Sequence, residues 1–150
     1  MILSAHQAHY LPWLGYFDKI DRSDIFVLLD DVQYEKREWQ NRNRIRTSKE
    51  WQWLTVPVHA HLSDRIMEVG IVAESSWRKD HMKSLEWNYS KAPCFSSLWD
   101  SLRGIYERDW TSLVELNVAS LESLMKVIGL GRSGSSAPPP FGLRVRPRNG

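Results

Sequence analysis

Two apolar segments close to the N-terminus, separated by one short amphipathic segment, constrain the fold of this chain more than any other feature. Residues 2–7 and residues 25–30 have the continuous apolar character of strands that are buried in a parallel sheet. Residues 12–22 carry apolar side chains at helical spacing, and their initial proline suits the first turn of a helix. A helix that joins two apolar strands over so short a distance predicts a right-handed βαβ unit.

A polar segment and a further apolar segment follow this unit, and together they predict a β-hairpin. Residues 33–47 are polar, whereas residues 51–58 are rich in aromatic and branched side chains. Pro57 places the second strand of the hairpin near a sheet edge or at its own end, because proline cannot donate a backbone hydrogen bond. Residues 66–72 are expected to form one more short strand.

The C-terminal part of the chain predicts helices. A first helix is expected from a serine cap at position 75 or 76 to about residue 90. Capping-box spacing recurs at residues 97–100 and at residues 112–115, and Gly129 is expected to end the last helix. We therefore predict an α/β protein with a small, partly parallel sheet that opens with the βαβ unit, an attached β-hairpin and C-terminal helices.

The composition separates residues 1–130 from residues 131–150. An apolar content of 42% over 150 residues is ordinary for one domain with its own core, which we assign to residues 1–130. Residues 131–150 are rich in Gly, Pro, Ser and Arg without periodic apolar positions, so we expect a disordered tail. Without the four arginines of that tail, the net charge of +2 becomes −2, which weakens any argument from charge for nucleic-acid binding.

The sequence has features of a cytoplasmic protein. No apolar run approaches the ~18 residues that a membrane span needs, and no secretory leader pattern opens the chain. The single Cys94 excludes an internal disulfide and fits a reducing compartment. Its position in a turn between two helices favours a packed small residue over a reactive thiol.

Polar side chains stand at the carboxyl ends of both apolar strands, where open α/β sheets build ligand sites. His6 and His9 stand where the first strand leads into the helix, and Asp30 and Asp31 stand at the end of the second strand. An imidazole can stabilise developing charge, and a carboxylate can act as a general base or hold a sugar hydroxyl. We predict His6 and one of the two aspartates as catalytic residues, because consecutive strand side chains face opposite ways. The alternatives are helix capping or core hydrogen bonding for the histidines and loop capping for an aspartate.

Residues beside the histidines are predicted to contact a substrate. These are Gln7, Tyr10 and Trp13. The chain has eight tryptophans, which leaves room for one or two whose flat rings stack on a sugar or a base.

The remaining histidines receive no functional prediction. His59 and His61 are expected in a loop, and His81 is expected on the exposed side of a helix. No Cys/His spacing supports a zinc site, so no metal ligand is predicted and the cofactor is left open.

The densest cluster of polar and aromatic residues lies in residues 33–44. Its predicted substrate contacts are Gln33, Tyr34, Lys36, Trp39, Asn41, Arg42, Asn43 and Arg44. In a strand the two asparagines face one way and the two arginines the other, so a guanidinium pair can hold a phosphate or carboxylate. The alternative is an exposed hairpin whose charges are only solvated.

Several ordered motifs resemble the WbqC-like protein family. They are His6-Gln-Ala-His-Tyr-Leu-Pro-Trp-Leu-Gly-Tyr-Phe-Asp-Lys-Ile20, Leu29-Asp-Asp-Val-Gln-Tyr34, Trp39-Gln-Asn-Arg-Asn-Arg-Ile45, Trp53-Leu-Thr-Val-Pro-Val58, Lys91-Ala-Pro93 and Glu115-Leu-Asn117. The resemblance covers about residues 1–130 and implies a role in bacterial O-antigen or other surface-polysaccharide biosynthesis. It implies transfer of a group such as an acyl or aminoacyl group to an activated sugar, for example a nucleotide-linked one. A non-catalytic nucleotide-sugar-binding or assembly module is the first alternative, and RNA binding through residues 37–46 is a less expected one.

The sequence departs from the family pattern at two places. Ala8 stands where the family usually has proline, which loosens the turn after the first strand. Family members continue well beyond the position of Leu130, through a later segment with a His-Pro pair. We therefore expect this chain to be a C-terminally truncated or frame-shifted member.

Overall fold

The computed structural model describes residues 1–130, in which short strands precede a set of helices. The strands are β1 (Leu3–Gln7), β2 (Ile25–Leu29), β3 (Arg42–Arg46), β4 (Trp51–Thr55), β5 (Val58–His59) and β6 (Gly70–Ile71). The helices are α1 (Leu14–Asp21), α2 (Trp77–Tyr89), α3 (Phe95–Tyr106) and α4 (Leu113–Val127), and a 3-10 turn spans Ile66–Glu68. The predicted α/β class is confirmed, and the tail predicted for residues 131–150 lies outside the described residues.

The strands β1 and β2 form a parallel pair, which confirms the predicted βαβ unit. Leu3 pairs with Ile25 and Gln7 pairs with Leu29, so both strands end at the same edge of the sheet. Helix α1 connects them and begins at Leu14 rather than at Pro12. The carboxyl ends of the two strands therefore lie side by side, as a crevice at that edge requires.

The prediction that the first strand is buried is wrong. Leu3 is 64% exposed and Ile25 is 37% exposed, whereas Phe26 is only 1% exposed. Tyr16 of α1 packs against Phe26, with ring centroids 5.5 Å apart, so the helix covers one face of the strand pair. An apolar sequence indicates that a strand can be buried. The strand is buried only where another layer of the structure packs against it.

The β-hairpin is confirmed as the antiparallel pair of β3 and β4. Arg44 pairs with Trp53, and Ile45 pairs with Gln52. Pro57 lies just beyond the end of β4, and its carbonyl accepts a hydrogen bond from the Val72 amide. The hairpin therefore ends where the proline predicts.

The strand predicted for residues 66–72 is only partly correct. Residues Ile66–Glu68 form a 3-10 turn, and only Gly70–Ile71 pair as β6, with β5. The Arg65 amide donates to the Glu68 carboxylate, and the Arg65 guanidinium donates to the same carboxylate at 2.7 Å. These local hydrogen bonds hold the backbone in a turn and prevent an extended ladder at this point.

The helix boundaries confirm one predicted cap and contradict another. Ser112 caps α4, since its hydroxyl accepts a hydrogen bond from the Glu115 amide at 3.5 Å, and Gly129 follows the helix with a φ of +74°. Helix α3 begins at Phe95, so the capping box predicted from Ser97 is wrong and Ser97 lies inside the helix. None of the helices in residues 1–130 combines the length and the apolar character that crossing a bilayer requires.

The main core lies between the hairpin and helices α2, α3 and α4, and it contains His81, contrary to the prediction of a surface position. His81 is 5% exposed, and Tyr10 is completely buried beside it. The Tyr10 hydroxyl lies 2.9 Å from His81 Nδ1 and 2.5 Å from the Tyr106 hydroxyl. The charged neighbours of His81 in the sequence indicate a surface, but the partners that bury it come from distant parts of the chain. Cys94 is in the predicted turn but is exposed rather than packed.

A smaller core packs α1 and β2 against the end of α4. Its buried members are Tyr16, Phe17, Ile20, Phe26, Leu121 and Met125. Helix α4 contributes to both cores, so it fixes the βαβ unit relative to the hairpin and thereby positions the candidate site.

Candidate anion-binding site

A cluster of aromatic rings forms where β1 leads into α1. His6 lies with its ring centroid 4.7 Å from that of His9 and 4.9 Å from that of Tyr16. Trp13 completes the cluster, 5.4 Å from His6, and its exposed ring lies against Gly15. A Cβ atom at Gly15 would lie 2.6 Å from Trp13 Nε1, so the glycine permits this ring position. Only His6 and Trp13 of this cluster are accessible to a ligand.

The surroundings of both imidazoles in this cluster favour the neutral form. Burial and, to a smaller extent, the neighbouring His6 lower the pKa of His9 to about 4. The pKa of His6 is lowered chiefly by burial, with a smaller contribution from Lys19, while a hydrogen bond with the Gln7 carbonyl opposes the shift. His9 Nδ1 is buried without a hydrogen-bond partner in the described structure. A neutral, half-buried His6 can accept a proton from a nucleophile.

The two aspartates after β2 face different surroundings. His6 pairs with Leu28 in the sheet, and Asp30 and Asp31 directly follow Leu29, the last residue of β2. The charge of Asp31 contributes to raising the pKa of Arg65. Both carboxylates are half-buried, so neither is sealed inside the core. The choice between Asp30 and Asp31 as the partner of His6 stays a prediction.

Gln40 connects the end of β1 to the loop before the hairpin. Its Nε2 donates to Gln7 Oε1 at 3.1 Å, and its Oε1 accepts from the Glu35 amide at 2.9 Å. Asn117 of α4 donates to the Gln40 carbonyl at 2.8 Å and to the Ala8 carbonyl at 3.2 Å. Gln40 and Asn117 are buried, so these hydrogen bonds fix the loop against the strand end.

Sequence reasoning missed Gln40 and Asn117, although both carried a signal. Asn117 lies three residues after Val114, on the apolar stripe of α4, where an uncharged polar side chain needs a buried partner. Gln40 stands inside a motif otherwise assigned to substrate contacts. Neither residue belongs to a charged cluster, which is why a search for reactive groups passes over them.

A basic cleft of about 300 Å³ lies between this loop and the segment that follows β4. Its lining residues are Tyr34, Lys36, Arg37, Asn41, Arg42, Thr55, Val56, Pro57, Val58, Ala60, His61 and Leu62. The lining includes three basic Lys and Arg side chains and no carboxylate. Four of the predicted substrate contacts thus share one cavity, and His61, which received no functional prediction, joins them.

Two polar atoms beside this cleft lack hydrogen-bond partners among the described residues. Asn41 Nδ2 donates to the Val56 carbonyl at 2.9 Å, which leaves Asn41 Oδ1 buried and unsatisfied. Arg42 donates through Nη2 to the Arg37 carbonyl, while its Nε is buried without an acceptor. Burial raises the pKa of Tyr34, and the Arg42 charge opposes that shift. Buried polar atoms without partners are uncommon and are satisfied when a polar ligand is present.

The other predicted contacts lie outside the cleft lining. Tyr10 is in the core, Gln33 donates to the Leu62 carbonyl at 2.6 Å, and Asn43 donates to the Leu11 carbonyl. Trp39 and Arg44 lie on the outer face of the hairpin, with the Arg44 guanidinium 5.4 Å from the Trp39 ring centroid. Asn43 and Arg44 therefore face opposite ways, whereas Asn41 and Arg42 both line the cleft. Apart from Gln7, Tyr10, Gln33 and Asn43, the predicted substrate contacts are divided among the ring cluster, the basic cleft and the outer face.

Among residues 1–130, no group of three or more His, Cys, Asp or Glu side chains is arranged to hold a metal ion.

Comparison with known proteins identifies the family of this chain. The WbqC-like protein family matches residues 7–137, a little beyond the point at which the sequence pattern was expected to end. The uncharacterized protein Rv1507c of Mycobacterium tuberculosis is 42% identical over 127 residues, which are 83% of this chain and 54% of that protein. The chain thus spans about half the length of this curated relative. No solved structure matches it. The chain belongs to the WbqC-like protein family.

Proposed function

We propose that this WbqC-like chain binds a small anionic substrate of the nucleotide-linked sugar class in the basic cleft. The observation that carries the proposal is the lining itself, where Lys36, Arg37 and Arg42 stand without any carboxylate. Guanidinium and ammonium groups without an internal counter-ion favour a diphosphate, which they can hold by charge-assisted hydrogen bonds. A volume of about 300 Å³ accommodates a diphosphate and one sugar ring.

We further propose that His6 and Asp30 support group transfer to the bound sugar, in a cytoplasmic step of surface-polysaccharide biosynthesis. In acyl or aminoacyl transfer from a thioester, a hydroxyl or amine of the sugar loses its proton as it attacks the donor carbonyl, and the carbon–sulfur bond of the donor then breaks and releases the thiol, which takes up that proton. Neutral His6 can accept that proton, and Asp30 can stabilise the resulting imidazolium. The Gln7–Gln40 hydrogen bond connects this strand end to the loop that lines the cleft.

A second candidate function, a non-catalytic nucleotide-sugar-binding module, is favoured by the separation of the predicted residues. The cleft lining and the histidine ring cluster have no residue in common. Binding therefore needs only the cleft, whereas transfer needs both groups to reach one ligand.

Binding is tested by calorimetric titration with a uridine diphosphate sugar and with the corresponding free sugar. We expect the diphosphate compound to bind and the free sugar to give no heat. Lys36→Gln should weaken binding at least fivefold, because exposed Lys36 contributes charge and little packing. Lys91→Gln, at another exposed lysine, is the matched control and should leave the affinity unchanged. Equal affinity of the Lys36→Gln and Lys91→Gln proteins would contradict the proposed cleft.

Transfer is tested by incubation with the nucleotide sugar and a panel of acyl and aminoacyl thioesters, followed by mass spectrometry of the sugar product. We expect a mass increase that His6→Gln and Asp30→Asn reduce and that Asp31→Asn leaves nearly unchanged. Binding without product for all donors would favour the non-catalytic module.

A further inference from the structure

The outer face of the hairpin carries a ladder of arginines and tryptophans. Strand alternation and pairing place Arg42, Arg44 and Arg46 on this face, beside Trp53 and Trp51 of the neighbouring strand. Successive arginines on one face of a strand are about 7 Å apart. Trp39 joins the face from the preceding loop, with its ring centroid 5.5 Å from that of Trp53. We call these six residues the Arg–Trp face.

Guanidinium groups on this face contact aromatic rings. Arg44 lies within 5.4 Å of the ring centroids of Trp39, Trp51 and Trp53. Arg42 lies 4.1 Å from the centroid of Trp53. An arginine held against a ring is preorganised, and the edges of its guanidinium group remain able to donate hydrogen bonds.

The arginines of this face have no carboxylate partner among the described residues, unlike other arginines of the chain. Arg22, Arg65, Arg78 and Arg103 each form an ion pair with an aspartate or glutamate at 2.6–2.9 Å. The Arg–Trp face has no corresponding acid, so its positive charge is available to an external anion.

The neutral amides of the hairpin point away from the Arg–Trp face. Asn43 donates to the Leu11 carbonyl, and Gln52 donates to Ser84 at 3.2 Å, on the opposite side of the hairpin. The outer face therefore offers guanidinium donors and aromatic rings with few side-chain acceptors. Sugar hydroxyls both donate and accept hydrogen bonds and therefore need acceptors as well as donors, whereas the phosphates of a nucleic-acid strand only accept and its bases stack on aromatic rings.

We propose that the Arg–Trp face binds single-stranded nucleic acid, in addition to the small anion proposed for the cleft. Phosphates contact Arg44 and Arg46, and bases stack on Trp51, which is 51% exposed. Arg42 borders both the face and the cleft, so the two binding surfaces are continuous. The net charge of −2 for residues 1–130 does not oppose this, because binding depends on the local charge of the face.

The test is fluorescence anisotropy of the full chain with a labelled twelve-nucleotide oligouridylate at low salt. Arg44→Gln/Arg46→Gln should weaken binding at least tenfold and reduce the salt slope by about 1.4, the value for two phosphate contacts on a single strand. Arg22→Gln/Arg103→Gln removes the same charge from two paired arginines and should change the affinity less than twofold. The C-terminal arginines are common to both proteins, so the difference between them reports on the face alone. Equal losses in the two double variants would overturn the proposal.

A second set of measurements separates stacking from charge. Trp51→Ala should weaken oligouridylate binding at least threefold, and Arg44→Lys/Arg46→Lys should give an intermediate loss, because charge remains but planar contacts do not. A sulfated polysaccharide that competes as well as the oligonucleotide, or equal binding to vesicles of anionic phospholipid, would overturn the assignment to nucleic acid. Circular dichroism of each variant confirms that it is folded.

Discussion

The interior between the hairpin and the C-terminal helices differs from the β1–β2 pair in how completely it is closed. Leu54 of β4 is 1% exposed and Leu3 of β1 is 64% exposed, although both are strand leucines. Leu54 is covered by helices of the main core. Leu3 is exposed because α1 covers only the opposite face of the β1–β2 sheet. The comparison shows that a segment can form a strand without being buried. Strand formation depends mainly on the local sequence, whereas burial depends on which other elements pack against the strand.

The closed region also contains buried polar side chains, which must find their hydrogen-bond partners inside the protein. Polar groups on the open sheet can instead bind water. Tyr10, His81 and Tyr106 form a hydrogen-bonded chain inside it, and burial raises the pKa of both tyrosines. Burial lowers the pKa of His81 to about 4, so this imidazole is neutral at pH 7. The free energy of unfolding therefore depends on pH, and the size of this dependence measures how completely His81 is shielded from water.

Leu54→Ala is the substitution with the largest expected effect. We expect the free energy of unfolding to fall by about 3 kcal/mol, because removal of a buried leucine side chain loses apolar contact and leaves a cavity. Urea denaturation followed by tryptophan fluorescence measures the change. A loss below about 1 kcal/mol would show that this interior can collapse around a missing side chain.

Asn117→Ala should lower the free energy of unfolding by about 2 kcal/mol. It removes the donor to the buried carbonyls of Ala8 and Gln40 and leaves them without this partner. Asn88→Ala is the matched control, because Asn88 donates only within its own helix, to the Ser84 carbonyl, and should cost much less. If the two alanine variants are equally stable, Asn117 does not hold the strand end against the loop.

The free energy of unfolding should fall less between pH 7 and pH 5 in His81→Phe than in the unmodified protein, by about 2 kcal/mol. The pKa of His81 in the folded protein, about 4, lies below its ordinary value of 6.5, so the unfolded chain binds the proton first. Stability from this group is therefore complete above pH 6.5, declines as the pH falls, and levels off near pH 4. Urea denaturation at several pH values measures the slope, and His59→Phe controls for the loss of an exposed imidazole. An unchanged slope in His81→Phe would mean that this site is open to water.

Leu3→Ala should have the smallest effect, within about 0.5 kcal/mol, because its side chain is already largely exposed. It is the matched partner of Leu54→Ala, with the same chemical change on a strand of the other region. Urea denaturation of both variants under one condition gives the comparison directly. A loss as large as that of Leu54→Ala would show that another polypeptide surface covers this face in solution.

Particular residues show how far the sequence alone could predict this structure. The opposite orientation of Asn43 and Arg44 follows from the two-residue period of a strand, and the structure agrees. The cap at Ser112 is likewise a local pattern and is confirmed. His81 was misplaced because its sequence neighbours are charged, while the residues that bury it are 71 and 25 positions away, at Tyr10 and Tyr106. The candidate catalytic roles of His6 and Asp30 stay predictions.

The sequence by itself determined the order and type of most elements, because periodicity, caps and turn residues act over a few positions. Only the tertiary structure decided which polar groups meet. It placed Lys36 and Arg42 in one cleft, placed Trp39 and Arg44 on the outer face, and buried Gln40 as a connection between strand and loop. The physical reason is that these arrangements depend on packing between elements far apart in the chain, which no local pattern records.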